Sequence, residues 1–472
     1  MNIVAKKFPF VLLVFLGSWW LVAQTPPGAG NQFPADSWNN MDTILARIRP
    51  PVYQTKEFDV TQYGAKGDGD ADCSGAFRKA IEACSKSGGG RVIVPAGIFL
   101  TGPIHLQSNV DLHLSSGTVI RFDQDPKKYL PPVMTRWEGV ECMNYSPLIY
   151  AFGRENVSVT GEGTLDGRAD SAHWWPWKGN KNMGWTEGMP NQAEGRKKLF
   201  QMGEQGVPVA DRVLGEGAYL RPNFIQFYSC RNILIEGVRI INSPMWEIHP
   251  VLCENVTVRN VHIDTHGLNN DGCDPESCSD VAIRDCYFDT GDDCIAIKSG
   301  RNNDGRRVNM PCRDIVIQHC IFKDGHGGIT IGSEESGGVR NVFAEDCELE
   351  SPVLYSALRI KSNAVRGGTV ENVFLRNIRV GLVDRAVVDV DLFYEEGKNG
   401  GFLPTIRTIS VEHMTVEKCK TAFNLVGYAE APLKDIRFAD CVFKNVTQGY
   451  KIDHVDGLVI LRTTLNGKEL KP

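Results

Sequence analysis

Short apolar runs recur along most of the chain, and Asn or Asp opens nearly all of them. The opening residues are Asn109, Asn156, Asn232, Asn255, Asp280, Asp314, Asn341, Asn372, Thr408, Asp435 and Gly457. From Ile233 onward the runs are about 22 to 36 residues apart, a period typical of solenoids and propellers. Each repeat holds two or three β-rich runs separated by Gly, Asn or Asp, with no room for helices, and a propeller blade needs about 40–45 residues. The pattern therefore predicts an all-β protein, a right-handed parallel β-helix.

One amphipathic helix precedes the strands. Between Ser74 and Ser87 apolar residues recur at helical spacing, and the run Gly88–Gly90 ends the pattern. The strand-like run Arg91–Val94 follows. We expect this helix to cap the N-terminal end of the stack.

The N-terminal region predicts export. Lys6 and Lys7 precede an apolar run, Phe8–Ala23, which is typical of a secretory signal peptide covering residues 1–23. The run is shorter than the roughly 20 residues of a membrane span, so a membrane anchor is the less favoured alternative. We expect a periplasmic or secreted protein with no membrane attachment after cleavage.

The rest of the chain divides into an arm and one long domain. Residues 24–55 contain Pro and Gly without periodicity and are expected to form a linker or N-terminal arm, before a β-helix domain over residues 56–472. Within that domain, residues 168–220 interrupt the rhythm with four tryptophans and little alternation. A loop of that length is functional or disordered, and the tryptophans favour function, with surface packing as the alternative.

Composition narrows the possible partners. The apolar share is 42% and the net charge is −6, without a long basic run, which argues against a nucleic-acid partner. The sequence contains 14 cysteines, most of them beside strand-like runs, as expected of buried free thiols. The sequence has no C-x-x-C pair, which argues against a zinc site. One disulfide, between Cys294 and either Cys312 or Cys320, is considered as an alternative. Nothing in the pattern indicates an oligomeric state, a cofactor or a metal.

Six polar side chains are expected to converge because they fall in the same part of successive repeats. They are Asp271, Asp292, Asp293, His326, Arg359 and Lys361. Neighbouring coils stack about 4.8 Å apart, so these groups would form one cluster on one face. Crowded carboxylates cannot all ionise, so one can serve as a general acid while another activates water. An Arg/Lys pair would hold a substrate carboxylate. Taken singly, each motif is also compatible with ordinary turn chemistry.

Four motifs of this cluster resemble glycoside hydrolase family twenty-eight, the polygalacturonases. They are Asn269–Asp271, Gly291–Asp293, Gly325–Gly327 and Arg359–Lys361, in the family's order. The resemblance covers roughly residues 57–465 and departs at Asn270, where many members have Thr. It implies a pectin-lyase-like solenoid and inverting hydrolysis of α-1,4-galacturonosidic linkages in pectin.

The resemblance also implies a role for each residue. Asp292 would be the general acid, and Asp271 and Asp293 would position or deprotonate the water. His326 would tune the acid, Arg359 and Lys361 would bind the galacturonate carboxylate, and Tyr394 would contact the substrate. The partner implied is oligo- or polygalacturonate, with no cofactor or metal.

Exo action is favoured over endo action. The segments Asn270–Ser277 and Ser299–Arg307 look like those of bacterial exo-acting members, and the Trp-rich insert is suited to closing one end of a cleft. Its tryptophans would stack on a sugar ring, while Arg301, Arg306 and Arg307 would meet the terminal sugar's carboxylate. An endo-polygalacturonase, a rhamnogalacturonan-directed hydrolase, a calcium-dependent pectate lyase and a non-catalytic β-helical glycan-binding protein stay open as alternatives.

Overall fold

The computed structural model describes residues 37–471 of the 472-residue chain. The predicted signal peptide and the first part of the predicted arm lie outside the described residues. The described chain forms a right-handed parallel β-helix with three faces, as the repeat pattern predicts. In this part of the chain, no helix combines the length and apolar character needed to cross a bilayer.

Sheet 1 has 14 parallel strands. They are Glu57–Asp59, Gly90–Val94, Val110–Leu114, Glu155–Gly161, Arg231–Glu236, Glu254–Arg259, Ser279–Arg284, Cys312–Gln318, Val339–Glu345, Thr369–Arg376, Thr405–Glu412, Leu433–Ala439, Val455–Asp456 and Val459–Leu461.

Sheet 2 also has 14 strands, all parallel except the last. They are Asp68–Asp72, Gly97–Thr101, Thr118–Phe122, Thr164–Asp166, Arg239–Ile241, His262–Thr265, Tyr287–Thr290, Ile321–Asp324, Glu348–Leu349, Arg379–Leu382, Thr415–Lys418, Val442–Phe443, Thr464–Leu465 and Lys468–Glu469.

Sheet 3 is the sheet whose strand register positions the site. Its early strands are Ile104–His105, Ile149–Phe152 and Ile225–Tyr228, and its later strands are Ile295–Ile297, Ile329–Ile331, Leu358–Lys361, Ala386–Asp391, Thr421–Val426 and Lys451–Asp453. Isolated bridges from Ile225 through Ile248 and Cys273 to Ile295 join the two groups. Sheet 3 therefore runs the length of the helix with one continuous outer face.

The Asn and Asp residues that open the apolar runs form a ladder along sheet 1. Their backbones adopt φ of 54–63° from Asn109 to Asn372, a left-handed conformation that Asn and Asp tolerate better than most residues. Their side chains hydrogen-bond from coil to coil at 2.7–3.0 Å, as between Asn156 and Asn109. The apolar residues after each rung point inward and are fully buried, as Val256 and Val281 are. This explains why the Asn-apolar signal marks the repeats so reliably.

Residues 37–471 contain four α-helices, which lie on the outside of the solenoid: α1 at Asn39–Arg47, α2 at Ser74–Lys86, α3 at Ala193–Glu204 and α4 at Asn302–Val308. Short 3₁₀ turns lie at Val60–Tyr63, Pro126–Tyr129, Trp175–Lys178, Lys181–Met183 and Val209–Asp211, and an antiparallel hairpin joins Val133–Trp137 to Val140–Asn144. Helix α2 buries its apolar stripe in the first coils, as predicted for a cap.

Helix α1 was not predicted, and it ties the arm to the outer face of sheet 1. Met41, Ile44 and Ile48 pack there against the aromatic pair Phe343 and Phe374. Arg47 Nη2 lies 2.6 Å from Asp280 Oδ1 and 3.3 Å from Asp314 Oδ2. Since two adjacent rungs of the ladder are carboxylates at this point, the guanidinium replaces the missing amide donor and balances their charge.

The fourteen cysteines, all of which lie in the described residues, are buried free thiols. The disulfide considered between Cys294 and Cys312 or Cys320 is therefore wrong. Several thiols instead occupy equivalent corners of successive coils, where the Cys253 Sγ donates to Phe227 O and Val251 O. They fill the small volume at each corner, as buried Cys does elsewhere.

Candidate active site

Three aspartates meet on the outer face of sheet 3. Asp271 precedes the bridge at Cys273, while Asp292 and Asp293 precede the strand Ile295–Ile297 in the next coil. Backbone hydrogen bonds link the two segments, since Asp292 N donates to Asn270 O at 3.2 Å and Gly272 N donates to Asp293 O at 3.0 Å. The three residues each place a carboxylate oxygen within 4.8 Å of the others. Stacking of consecutive coils thus assembles the predicted cluster.

The turn that presents Asp271 is locked by Asn270. This side chain is fully buried and makes four hydrogen bonds: its Oδ1 accepts from Thr265 Oγ1 and Gly267 N, and its Nδ2 donates to Ser243 O and Met245 O. An amide side chain can donate two hydrogen bonds and accept two, whereas the Thr hydroxyl can donate only one. The departure from the family pattern at this residue therefore has a structural role of its own.

Gly291 allows the two acidic turns to approach each other. Its φ is not left-handed, so backbone conformation alone does not require glycine at this position. A Cβ atom there would lie 2.4 Å from Gly267 O and 2.8 Å from the His266 carbonyl carbon. Only glycine permits this contact, which brings Asp292 to the turn that carries Asp271.

Asp292 and His326 form a hydrogen-bonded pair. His326 Nδ1 donates to Asp292 Oδ1 at 2.9 Å, and the same oxygen accepts from Asp293 N at 3.0 Å. Burial alone would raise the pKa of Asp292, but the hydrogen bond and charge of His326 outweigh it and lower that pKa. Burial likewise opposes protonation of His326, yet its bond to Asp292 raises the pKa of the imidazole. These opposite pKa shifts favour a protonated His326 beside an ionised Asp292.

Asp293 is held on both oxygens. Lys361 Nζ lies 2.5 Å from Asp293 Oδ2, and Thr330 Oγ1 donates to Oδ1 at 3.0 Å. Arg359 and Lys361 leave the same strand on the same side, and their cationic groups lie 5.8 and 5.5 Å from the centre of the Tyr394 ring. The structure thus brings together Asp293, both predicted cations and the tyrosine.

A buried lysine that the sequence analysis missed sits behind Asp271. The Lys298 side chain is 3% exposed, and its Nζ lies 3.7 Å from Asp271 Oδ2, 3.6 Å from Asp274 Oδ1 and 3.3 Å from Glu334 Oε2. Burial, followed by the charge of Asp274, raises the pKa of Asp271 well above its ordinary value, and Lys298 opposes that rise. Burial also raises the pKa of Asp274, and the charge of Lys298 opposes that rise. Lys298 is thus one cation shared by two buried carboxyl groups.

The three carboxylates lie close together. Inverting glycosidases usually keep their carboxyl groups about 6.5–9.5 Å apart. The nearest oxygens of Asp271, Asp292 and Asp293 lie within 4.8 Å of one another. Successive coils are only about 4.8 Å apart, which forces carboxylates from adjacent turns closer than two separate elements would.

Two groups of described residues have the donor atoms of a cation site. One is the trio Asp271, Asp292 and Asp293, and the other is Asp264, His266 and Asp289 on sheet 2, each with ligand-type atoms within 4.8 Å of one another. In the trio, the ammonium groups of Lys361 and Lys298 already balance the carboxylates. That charge balance disfavours the calcium site required by the pectate lyase alternative.

A cap covers the early coils of sheet 3. The hairpin Val133–Asn144 lies on their outer face, where Arg136 Nη1 is 3.4 Å from Glu276 Oε1 and Gln226 Nε2 donates to Arg136 O. Helix α3 packs on the hairpin through Leu199, beside Trp137 and Val140. The insert predicted from its tryptophans is therefore one part of the cap, and the hairpin, which sequence reasoning missed, is another.

The tryptophans of the insert are mainly structural. Trp174 is 2% exposed and packs against Tyr129 and Trp177. Trp175 Nε1 donates to Ser243 O, and Trp185 Nε1 donates to Met189 O within its own turn. The expectation that the tryptophans would stack on a sugar ring is wrong for Trp174, because its ring is enclosed by the core.

The three arginines of the 301–307 segment have different surroundings. Arg301 is nearly buried, lies over the Phe200 ring at 4.2 Å, and pairs with Glu334 at 3.4 Å, next to Lys298. Arg306 covers the Phe402 ring and donates to backbone carbonyls, while Arg307 pairs with Asp304 and Glu141. Arg301 thus borders the site. Arg306 contacts loops of later coils, and Arg307 contacts the hairpin at Glu141.

One face of the solenoid thus carries three clustered carboxylates and an Arg/Lys pair. These features define a β-helical glycoside hydrolase. Residues 215–441 match the family model described as glycosyl hydrolases family 28. The solved structure of an exopolygalacturonase from Thermotoga maritima is 47% identical to this chain in sequence and superimposes on it with a TM-score of 0.89. The match covers 92% of this chain and 97% of the Thermotoga chain. The chain belongs to glycosyl hydrolases family 28, as its four motifs predicted.

Two curated relatives are more distant. A probable polygalacturonase of Vitis vinifera is 28% identical over 83% of this chain and 75% of its own length. An exo-poly-alpha-D-galacturonosidase of Dickeya chrysanthemi is 26% identical over 83% of this chain and 67% of its own length. The similarity thus extends across most of the β-helix and beyond the segment matched by the family model.

Proposed function

We propose that this enzyme hydrolyses α-1,4-galacturonosidic linkages of homogalacturonan from a chain end and releases galacturonic acid. Membership of the polygalacturonase family supports the reaction and the substrate class. Exopolygalacturonases among the similar proteins support action at a chain end. The observation that carries the exo assignment is a gradient of burial along sheet 3.

One row of outward-facing residues reveals this gradient. Gln226, His249 and Asp274 are 0% exposed, and the hairpin covers the start of this row, where Gln226 Nε2 donates to Arg136 O. Later in the same row the Asp389 side chain is 19% exposed, and Lys451 is open to solvent. A polysaccharide lying along this face would be blocked by the cap just before Asp271, whereas the face is open to solvent after Arg359. A wall on one side of the scissile bond admits a terminal sugar and excludes a continuing chain.

Substrate capture relies on the cations beside Asp293. Lys361 has three donors and uses one on Asp293, so the others are available for a uronate carboxylate. Arg359 lies within 4.0 Å of both Asp293 and Asp389 and flanks the same space. Tyr394 faces both cations and closes the pocket opposite them. A charge-assisted contact is about twice as strong as a neutral one, which would favour uronic acids over neutral sugars.

The chemistry requires one proton donor and one water. Asp292 Oδ2 makes no hydrogen bond within the described residues, so it is free to meet the glycosidic oxygen. We assign Asp292 as the general acid. When a substrate carboxylate raises the pKa of Asp292 above that of His326, the proton passes from His326 Nδ1 to Asp292 Oδ1, and a turn of the carboxyl group presents it to the glycosidic oxygen. Asp271 and Asp293 hold the water, because two hydrogen bonds of about 2.8 Å can bridge oxygens less than 4.8 Å apart.

Inversion is the proposed stereochemical course, despite the short carboxylate separation. Retention would require one carboxylate to be free to attack the sugar. Both oxygens of Asp293 are engaged, by Thr330 and Lys361, and burial, followed by the charge of Asp274, raises the pKa of Asp271. A water molecule oriented by these two groups is the better nucleophile.

Export belongs to the same proposal. The Lys6–Ala23 segment has the organisation of a signal peptide, and a polymeric substrate must be met outside the cytoplasm. N-terminal sequencing of the protein recovered from a secreting host should begin near Gln24. A mature protein that still starts at Met1 and fractionates with membranes would show that the segment is an anchor.

The experiment that tests exo action follows products from long polygalacturonate over time. Galacturonic acid should be the only early product, and viscosity should fall slowly as reducing ends accumulate. Mixed oligomers with a rapid loss of viscosity would establish endo action. Activity should be unchanged by a chelator, and an unsaturated product absorbing in the ultraviolet would identify a lyase.

A shortened cap provides the matched variant. Replacing α3, residues 193–204, by a short Gly-Ser linker should open the closed end and shift the products toward oligomers. Leu199 of this helix is buried, so a thermal melt must first show that the variant without the helix is folded. A milder variant, Phe200→Ala, removes the ring that lies between Arg196 and Arg301 and should cause a smaller shift in the same direction.

A further inference from the structure

A row of side chains leads away from the catalytic acid along one corner of the solenoid. Asp292, His326, Tyr355, Arg385 and Lys420 occupy the same position in five successive coils. Backbone hydrogen bonds fix this register, since His326 N donates to Asp292 O at 3.0 Å, Arg385 N to Tyr355 O at 3.0 Å, and Thr421 N to Arg385 O at 3.2 Å. The row thus starts at the reacting centre and continues over the open end of sheet 3.

The side chains of this row contact one another in sequence. His326 lies 2.9 Å from Asp292, and its ring stacks on Tyr355 with centroids 4.6 Å apart and an angle of 14° between the planes. The Arg385 guanidinium covers the Tyr355 ring at 3.7 Å. The imidazole, the phenol and the guanidinium form a continuous layer, so Arg385 is held in place although it is exposed.

A groove beside the end of this row is rich in cations. It has a volume of about 410 Å³ and is lined in part by Arg385, Lys420, Lys451 and Tyr450. Lys420 pairs with Asp384 at 2.8 Å, an exposed pair that water can replace. Neither Arg385 nor Lys451 forms an ion pair with any described carboxylate. The acid in the groove, Asp389, already faces Arg359 and accepts from Asn424.

The position of the groove identifies its ligand. Each coil advances by about 4.8 Å, so Lys420 lies about 14 Å beyond His326, farther than a single sugar ring reaches. The general acid protonates the oxygen of the leaving group, and the cap blocks the opposite direction. The sugars that follow the scissile bond must therefore pass over Tyr355, Arg385 and the groove.

We propose that Arg385 and Lys451 form a distal binding site for the uronate groups of the leaving chain, at least two sugars beyond the cleaved bond. This inference rests on the proposed function and extends it, because it explains how an enzyme closed at one end holds a polymer. Two exposed charge pairs contribute modestly to affinity, so the site should act on long substrates without affecting the chemical step.

The test compares two substrates with the double variant Arg385→Ala/Lys451→Ala. On long polygalacturonate at low salt, kcat/KM should fall about three- to tenfold, mainly through KM. On digalacturonate, which occupies only the positions flanking the bond, kcat/KM should stay within about twofold of wild type. The charge reversal Arg385→Glu/Lys451→Glu should enlarge the loss on the polymer alone. Added salt should reduce the difference between wild type and variant.

A matched control removes the same charges from other faces of the same coils. Arg379 and Lys434 are exposed on sheets 2 and 1, and Arg379→Ala/Lys434→Ala should leave both substrates unaffected. Equal losses on the polymer in the two double variants would overturn the site in favour of net charge alone. Equal losses on both substrates, or no loss on the polymer, would also overturn it. A wild-type enzyme that releases no galacturonate from either substrate would instead refute the proposed function.

Discussion

His326 donates its Nδ1 proton to Asp292 Oδ1 across 2.9 Å, and both groups are in contact with the cleft. In the proposed mechanism this pair divides two tasks: His326 holds the proton, and Asp292 transfers it to the substrate. The imidazole stores a proton at a pKa raised by its bond to Asp292, after burial has opposed that rise. The carboxylate, whose pKa that bond lowers against the effect of burial, has one oxygen free of hydrogen bonds within the described residues.

The pH dependence of the enzyme should depend on this pair. Activity requires the pair to be protonated, so it is lost as pH rises through the raised pKa of His326. In His326→Gln the imidazolium is gone and Asp292 must hold the proton alone. We expect the alkaline limb of kcat/KM to move to lower pH, toward the carboxyl range, as measured on digalacturonate. An alkaline limb that stays in place would show that His326 does not take part in proton transfer.

Asp292→Asn removes the acid while preserving the shape of the side chain. We expect turnover to fall by at least about a hundredfold, within the usual contribution of general acid catalysis. Proton NMR of the wild-type reaction should show the β-anomer of the released sugar first. Retention of more than about a tenth of the activity would reassign the acid, and the α-anomer appearing first would indicate a covalent intermediate.

Lys361→Ala should reveal how the enzyme selects a uronic acid. A hydrogen bond to a charged group contributes about 1.5–3 kcal/mol, so kcat/KM on galacturonate oligomers should fall about ten- to a hundredfold. The loss should be smaller on a methyl-esterified substrate, which lacks the negative charge. Losses of equal size on both substrates would mean that the lysine only holds Asp293, its partner at 2.5 Å.

Lys298 and Asp274 should shift the acidic limb of the pH profile in opposite directions. Asp271 must be ionised to help activate water, so activity is lost as pH falls through its raised pKa. Lys298→Met removes the cation that opposes that rise and should move the acidic limb to higher pH. Asp274→Asn removes a like charge and should move it to lower pH.

The control for this pair is Lys323→Met, which alters an exposed lysine on sheet 2. Its profile should match that of the wild type. Thermal melts of Lys298→Met and Asp274→Asn would report any loss of stability separately from the pH profile. If both variants lower activity equally at every pH, the two residues only maintain the structure around Asp271.

Local patterns in the sequence were sufficient to predict the β-helical architecture. The spacing of apolar residues after Asn109, Asn232 or Asn341 reports a backbone conformation repeated once per coil, so it reveals the solenoid without tertiary information. The helix that begins at Ser74 was predicted for a similar reason. Helix α1 was missed although Met41, Ile44 and Ile48 have helical spacing, because its short apolar stripe lies in a region otherwise poor in periodic structure.

The sequence by itself determined which candidate residues lie together, because the repeat places Asp271, Asp292 and Lys361 on one face of neighbouring coils. Only the tertiary structure decided their charge states and the shape of the cleft. Lys298 follows an unremarkable strand, and its influence on Asp271 comes from burial beside Asp274 and Glu334. The wall across the cleft is built by the hairpin Val133–Asn144 and α3, far apart in sequence, and no local pattern encodes where such segments meet.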